Sequence, residues 1–287
     1  IGNFVENNAW RWMLGIEAIP ALAFTVFCFI IPESPRWLVG NREDKSDAIE
    51  VLQRLNPTCQ SDEIDALVAE ISEAAHRKTS TGGFWSGRLK LPILLAFLIA
   101  FFNQLSGINA VLYFAPRIFE LTGLAEQAAL LQSVGIGVTN LVFTFAGLWL
   151  IDRLGRRTLL YIGSFGYIAS LGLCSWAFYT EAFDIVPICI FAFIAAHAIG
   201  QGAVIWVFIS EIFPNRHRAE GQALGAFTHW ISAALLTMLF PKMVTTFMPG
   251  TVFLFFCFMM LLQLLWVKLM VPETRGRSLE EIEKSYT

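Results

Sequence analysis

Asn103-Gln104-Leu105-Ser106-Gly107-Ile108-Asn109 lies inside the second of seven long apolar runs in this 287-residue chain. The run around it, Leu91–Phe119, has the length of a membrane-crossing helix, which needs about 20 predominantly apolar residues. Amide side chains in hydrocarbon cost free energy, so a run that keeps several of them is expected to bind something there. Ser106-Gly107 is also a weak point for a helix, and such interruptions are tolerated where they line a cavity. Gln104 and Asn109 are five residues apart, about 140° around a regular helix. Both reach one pocket only if the turn between them is distorted.

The rest of the chain supports a membrane reading. Hydrophobic residues make up 56% and charged residues 15%, with a mean hydropathy of +0.59. Soluble domains carry about a quarter charged residues, so a polytopic membrane protein is expected. The 26 Phe and 9 Trp suit lipid-facing surfaces and interfacial belts. The other expected spans are Trp12–Ile31, Gln127–Ile151, Leu159–Tyr179, Ile185–Phe213, Ala223–Phe247 and Thr251–Met270. All read as helices, because backbone in lipid must satisfy itself and period-2 alternation is absent. A second glycine-rich weak point, Gly200-Gln201-Gly202, interrupts the fifth of the seven.

Charge sets the orientation. Seventeen Lys and Arg fall in Pro32–Lys90, Asp152–Arg157, Asn215–Glu220 and Lys268–Thr287, against three (Arg11, Arg117, Lys242) on the other side. The positive-inside rule places the first group, and the carboxyl terminus, in the cytoplasm. A net charge of −3 argues against nucleic acid as a partner. The five cysteines lack C-x-x-C spacing, and the four in apolar runs (Cys28, Cys174, Cys189, Cys257) read as small core residues. The chain opens at Ile1 with no basic region or cleavage site of a signal peptide, so it reads as a sequence met in mid-protein.

Between the first two spans, Ala48, Ile49, Val51, Leu52 and Leu55 recur at helical spacing. Ser61-Asp62-Glu63 is expected to cap a second helix with Ile64, Leu67, Val68 and Ile71 on one face. Pro32-Glu33-Ser34-Pro35-Arg36 after the first span is echoed by Pro272-Glu273-Thr274-Arg275-Gly276-Arg277 after the seventh. Six spans separate the two, the pattern of carriers built from parallel six-helix repeats. The charged residues at these same helix ends read as a latch between two bundles: Glu33 and Arg36, then Asp152, Arg153, Arg156 and Arg157, then Glu211. One exposed pair is worth about 0–1 kcal/mol, but several together set a population bias. The alternative reading is that they only fix topology.

Five stretches in order resemble the sugar porter family of the major facilitator superfamily, over essentially the whole chain. They are Pro32–Leu38 (PESPRWL), Gln104–Tyr113 (QLSGINAVLY), Asp152–Arg157 (DRLGRR), Gly202–Pro214 (GAVIWVFISEIFP) and Pro272–Leu279 (PETRGRSL). The wording from Ser210 to Arg216 is similar to bacterial members. The resemblance implies an all-α membrane protein of major facilitator fold. Residues 1–31 would hold the last helix of the amino-terminal bundle, 32–90 a cytoplasmic linker, 91–270 the six-helix carboxyl-terminal bundle and 271–287 a cytoplasmic tail. The implied function is monosaccharide transport by alternating access across a bacterial inner membrane, with lipid and the other bundle as partners and a proton as co-substrate.

The resemblance also carries over a solute site. Amides both donate and accept, which suits a ring of hydroxyls, and an indole stacks on the ring's apolar face. Matching positions are Gln104, Asn109, Asn140, Trp206 and Trp230. Two positions depart from the pattern: Asn103 stands where a second glutamine is usual, and His229 where an amide is usual. A histidine donates and accepts like an amide, and it can also titrate. His197 and Gln201 border the second glycine break and are weaker candidates. Each of these residues has a plainer alternative as packing or interhelical glue. The proton-linked acid of the family lies in a helix outside these spans; Glu17 sits near the outer end of the first. With no nucleophile–base pair, metal cluster or phosphate loop, no catalytic residue, metal or cofactor is expected. Two other readings stay open, a sugar sensor that does not transport and an inert fragment. A sensor usually carries a long tail, and 17 residues follow the last span.

Overall fold

A computed structural model describes residues 11–12, 15–42, 45–76, 83–85, 87–123 and 125–276. Arg277 to Leu279 of the last motif, and the tail beyond, lie outside the described residues, as do Met13 and Leu14 of the first expected span. The chain divides into two units, Ile1–Ser80 and Thr81–Thr287.

In the first unit, helix α1 (Ala18–Cys28) has no buried residue. Its Leu22, Phe24 and Phe27 are all exposed, and so is Cys28, against the core role expected of it. At 11 residues this apolar helix is shorter than the about 20 residues a crossing needs, so the described part of the first expected span is not among the helices long enough to cross a membrane. Pro35 then starts a single turn at the position where its missing N–H costs nothing. A π-helical turn follows at Leu38–Arg42, with the Arg42 guanidinium 5.0 Å above the Trp37 ring. Helices α2 (Lys45–Leu55) and α3 (Ser61–His76) close a small core of Leu38, Val39, Ala48, Val51, Leu52, Ile64 and Val68. Leu55 and Leu67, expected on the apolar faces, are exposed. The cap of α3 is also one residue earlier than expected. Ser61 is already helical, and the Gln60 N–H donates to Glu63 Oε2 at 3.1 Å, the backward half of a capping box.

Among the described residues, the second unit holds six helices long and apolar enough to cross a membrane. The first span is broken into α4 (Lys90–Leu105) and α5 (Ile108–Glu120). Next come α6 (Glu126–Leu154) and α7 (Arg156–Tyr179). The fourth span is broken into α8 (Val186–His197) and α9 (Ala203–Ile212) by a π turn at Ala198–Gly202. Helices α10 (Arg218–Thr246) and α11 (Pro249–Met270) complete the bundle. Both breaks fall at the glycine-rich points read from the sequence.

Helix α7 is central and packs along α8 and α11, while α4 packs along α10 and α5 along α6. Close approach uses glycine. A Cβ on Gly200 would lie 2.8 Å from the Gly163 Cα, so the π turn rests directly on the α7 backbone. Small residues at a crossing supply van der Waals contact where lipid offers no hydrophobic driving force. The enclosed core includes Phe119, Tyr167, Phe193, Phe208, Phe213, Phe240, Phe253 and Phe256. Helix α6 is more open, with Val134, Val138, Leu141, Val142 and Phe145 exposed on it.

Candidate functional site

The break between α4 and α5 is a consequence of Gly107, which adopts φ +86, ψ 10. That left-handed conformation penalises any side chain, and a Cβ there would also lie 2.7 Å from the Phe256 ring. Ser106 seals the turn: its hydroxyl donates to the Asn103 carbonyl at 2.6 Å and accepts from the Ile108 N–H at 3.3 Å. The distortion brings Gln104 and Asn109 to the same side. Asn109 Nδ2 donates to Gln104 Oε1 at 3.0 Å.

Gln104 is the hub of this array. It is fully buried, and its Nε2 donates to Asn103 Oδ1 at 3.1 Å and to the imidazole of His229, whose ring nitrogens lie 3.1 and 3.2 Å away. Its own hydrogen-bonding capacity is therefore largely spent inside the protein. The capacity left over belongs to its neighbours, chiefly the Asn103 amide N–H groups and the Asn109 carbonyl. His229 accepts from Gln104 with one nitrogen, so in its neutral form the other is available for donation. Its ring centroid lies 5.2 Å from Trp206 and 5.1 Å from Trp230. Both indoles are exposed. The structure thus gathers Asn103, Gln104, Asn109, Trp206, His229 and Trp230 around the broken span.

Asn140 is not joined to that group. It is half-buried on α6 and forms no hydrogen bond with it. Three further polar residues in spans carried no assigned role or only a weak one. Tyr167, fully enclosed on α7, places its hydroxyl 2.6 Å from His197 Nδ1. Gln201 is buried in the π turn, and neither atom of its amide meets a protein partner. Gln263 of α11 donates to Ser164 Oγ of α7 at 3.0 Å, an interhelical bond. The signal for Tyr167 was a lone tyrosine within an apolar run, which sequence cannot separate from a core aromatic.

The charged residues form a second centre at one end of the bundle. Gly155 joins α6 to α7 at φ +90, ψ 164, a conformation essentially reserved for glycine. Beside it the Glu273 carboxylate accepts from the Arg156 and Arg157 N–H groups at 2.9 and 3.1 Å, filling the amino end of α7 where backbone donors are free. The Arg156 guanidinium meets Glu211 through two parallel bonds, at 2.7 and 3.0 Å, and reaches Asp152 at 3.1 Å. Thr274 donates to Glu211 at 2.6 Å, and Arg157 donates to the Lys268 carbonyl near the end of α11 at 2.8 Å.

The contacts shown by the expected latch residues of this bundle lie within it: Arg156 meets Asp152 and Glu211, and Arg157 meets the Lys268 carbonyl. Arg153 instead lies over the Trp149 ring of its own helix at 3.8 Å. Glu33 and Arg36 belong to the first unit. Glu273 and Thr274, quoted as part of a repeat and of the last of the five stretches, complete the cluster.

The family described as "Sugar (and other) transporter" matches residues 1–286. The chain is 35% identical to the glucose transporter GlcP of Staphylococcus epidermidis over 98% of its own length and 63% of the relative's. It is 34% identical to the D-xylose-proton symporter of Escherichia coli, over 98% of this chain and 58% of that one. Among solved structures, the major facilitator superfamily proton:xylose symporter XylE bound to 6-bromo-6-deoxy-D-glucose matches with a TM-score of 0.85 at 32% identity, over 100% of this chain and 61% of that one. The chain thus spans about three fifths of the length of the relatives it matches. Matched in sequence and fold along its whole length, this all-helical membrane chain belongs to the sugar transporter family of the major facilitator superfamily.

Proposed function

We propose that the bundle of α4 to α11 supplies one face of a monosaccharide-binding site in a transporter that works by alternating access. The observation that carries this reading is the hydrogen-bonded array Asn103–Gln104–Asn109–His229 at a broken span, with two exposed indoles beside it. Amide groups held in place by one another present donors and acceptors at fixed angles, which is what a ring of hydroxyls needs. Trp206 and Trp230 offer apolar faces for the sugar ring. Asn140 on α6 is the outlying member of the site. The opposite face would come from an amino-terminal bundle whose last helix is α1.

The solute is a hexose or pentose, taken up with a proton as in the relatives named as proton symporters. The membrane is a bacterial inner membrane, with the Asp152–Arg157 end and the carboxyl terminus in the cytoplasm. The cluster of Arg156, Glu211 and Glu273 stiffens the cytoplasmic end of the bundle so that it moves as a body. Glu33, Arg36 and Arg153 contribute to closure between bundles. Uptake of labelled hexoses and pentoses by proteoliposomes holding the complete protein, with and without an imposed pH gradient, tests both solute and coupling. Absence of saturable uptake for every sugar would refute the reading. Uptake indifferent to the gradient would remove only the proton.

A further inference from the structure

Helices α9 and α10 meet along a narrow seam that runs up to the solute site. On α9 the seam is made by Trp206, Ile209 and Phe213, which share one helical face. On α10 it is made by Gly221, Gly225 and His229, each four residues after the last. An added Cβ on Gly225 would lie 2.5 Å from Ile209 Cδ1, and one on Gly221 would run into the Phe213 ring. Small residues here bring the two backbones close enough for a side chain of one helix to reach the main chain of the other.

Gln222 makes that reach. It is half-buried on α10, and its Nε2 donates to the Trp206 carbonyl of α9 at 2.8 Å. A backbone carbonyl has two lone pairs, so it can accept this bond without giving up its place in the helix. Seven residues further on, two turns along α10, the His229 ring centroid lies 5.2 Å from that of Trp206. Helix α10 therefore touches Trp206 twice, at the backbone through Gln222 and at the indole through His229. His229 is itself bonded to Gln104, the hub of the amide array. The indole stays exposed.

We propose that Gln222 is a positioning residue for Trp206: by clamping the Trp206 carbonyl to α10, it sets where the indole face stands beside the amide array. This rests on the solute-site reading above. Gln222 acts through the tryptophan and not on the solute. Stacking of a sugar ring depends on where the indole is held, and a looser hold weakens it.

The test is equilibrium binding and uptake kinetics of D-glucose and D-xylose by the complete protein in proteoliposomes. Gln222→Met keeps the length of the arm and removes the donor. It should raise KM and Kd about threefold to tenfold while leaving kcat within about twofold. Gln222→Glu keeps the shape but, when ionised, can only accept, so it should lose at least as much. The decisive readout is a double-mutant cycle with Trp206→Leu. Without the indole there is nothing to aim, so Gln222→Met should change Kd by less than about twofold in that background. A merely structural role would give equal losses in both backgrounds, and that result would overturn the proposal. So would wild-type affinity in either Gln222 variant, or a change confined to kcat. If Gln222→Met fails to fold, Gln222→Glu takes its place in the cycle. Lost binding in Trp206→Leu alongside normal binding in both Gln222 variants would sink this inference alone. A wild-type protein that binds neither sugar would take the solute-site reading with it.

Discussion

Gln104 reaches three other polar side chains, so removing it does more than delete one hydrogen bond. Asn103, Asn109 and His229 would all lose the partner that orients them. A single hydrogen bond contributes about 1 kcal/mol net, whereas a network responds by more than its pairwise sum. Gln104→Ala is therefore expected to weaken solute binding by about 10-fold to 100-fold, read by equilibrium binding. An effect under about threefold would show that the neighbours hold their positions without it. Asn103 offers a subtler test. Asn103→Gln lengthens the arm by one methylene and moves its free donors, so it should change the ranking of epimeric sugars more than the affinity for any one. A uniform change across the panel would mean that Asn103 serves only Gln104.

At the scale of elements, glycines decide where the spans break and how they meet. Gly107→Ala forces a Cβ into the left-handed region and against Phe256. The backbone conformation alone costs about 1–2 kcal/mol. Thermal unfolding should fall by several degrees, and Phe256→Leu in the same background should recover the steric part only. Full recovery would mean that the backbone conformation carries no penalty.

The Arg156–Glu211 pair makes a different prediction. The Arg156 side chain is 11% exposed and that of Glu211 is 21% exposed. Removing one partner strands a charge that water reaches poorly, at a cost of about 2–4 kcal/mol after allowing for that partial access. Arg156→Ala and Glu211→Ala should each destabilise the bundle and slow uptake. The double variant should be little worse than either single one, a coupling read from a double-mutant cycle. Additive losses would show the two residues acting independently. Arg156→Lys should rescue poorly, since an ammonium cannot make the two parallel bonds seen here.

For the whole molecule, the proposal requires two bundles rocking about a shared site. Residues 1–287 expressed alone should insert as a helical bundle in detergent or liposomes yet accumulate no sugar. Saturable uptake by that polypeptide would refute the need for an opposing face. Exposed Trp206 and Trp230 should then give a fluorescence change with sugar only when that face is present.

Sequence by itself determined the class of fold and the places where it breaks. Apolar runs of about 20 residues without period-2 alternation become helices in lipid, because each must satisfy its backbone within itself, and the sequence pattern reveals that. The breaks at Ser106-Gly107 and Gly200-Gln201-Gly202 were equally legible, because glycine acts locally. The capping of α3 and the exposure of Leu55 and Leu67 were misread by small margins, since neighbouring packing decides them. Partners that lie far apart in the chain were decided only by the tertiary structure. Gln104 meets His229 across 125 residues, and Arg156 is held by Glu211 and Glu273 from two separate places in the chain. No periodicity records such contacts. The same limit hid the clip that Arg156 closes between charged helix ends within this bundle. A charge pattern fixes which side of the membrane a residue occupies, but only the packing of helices chooses its partner.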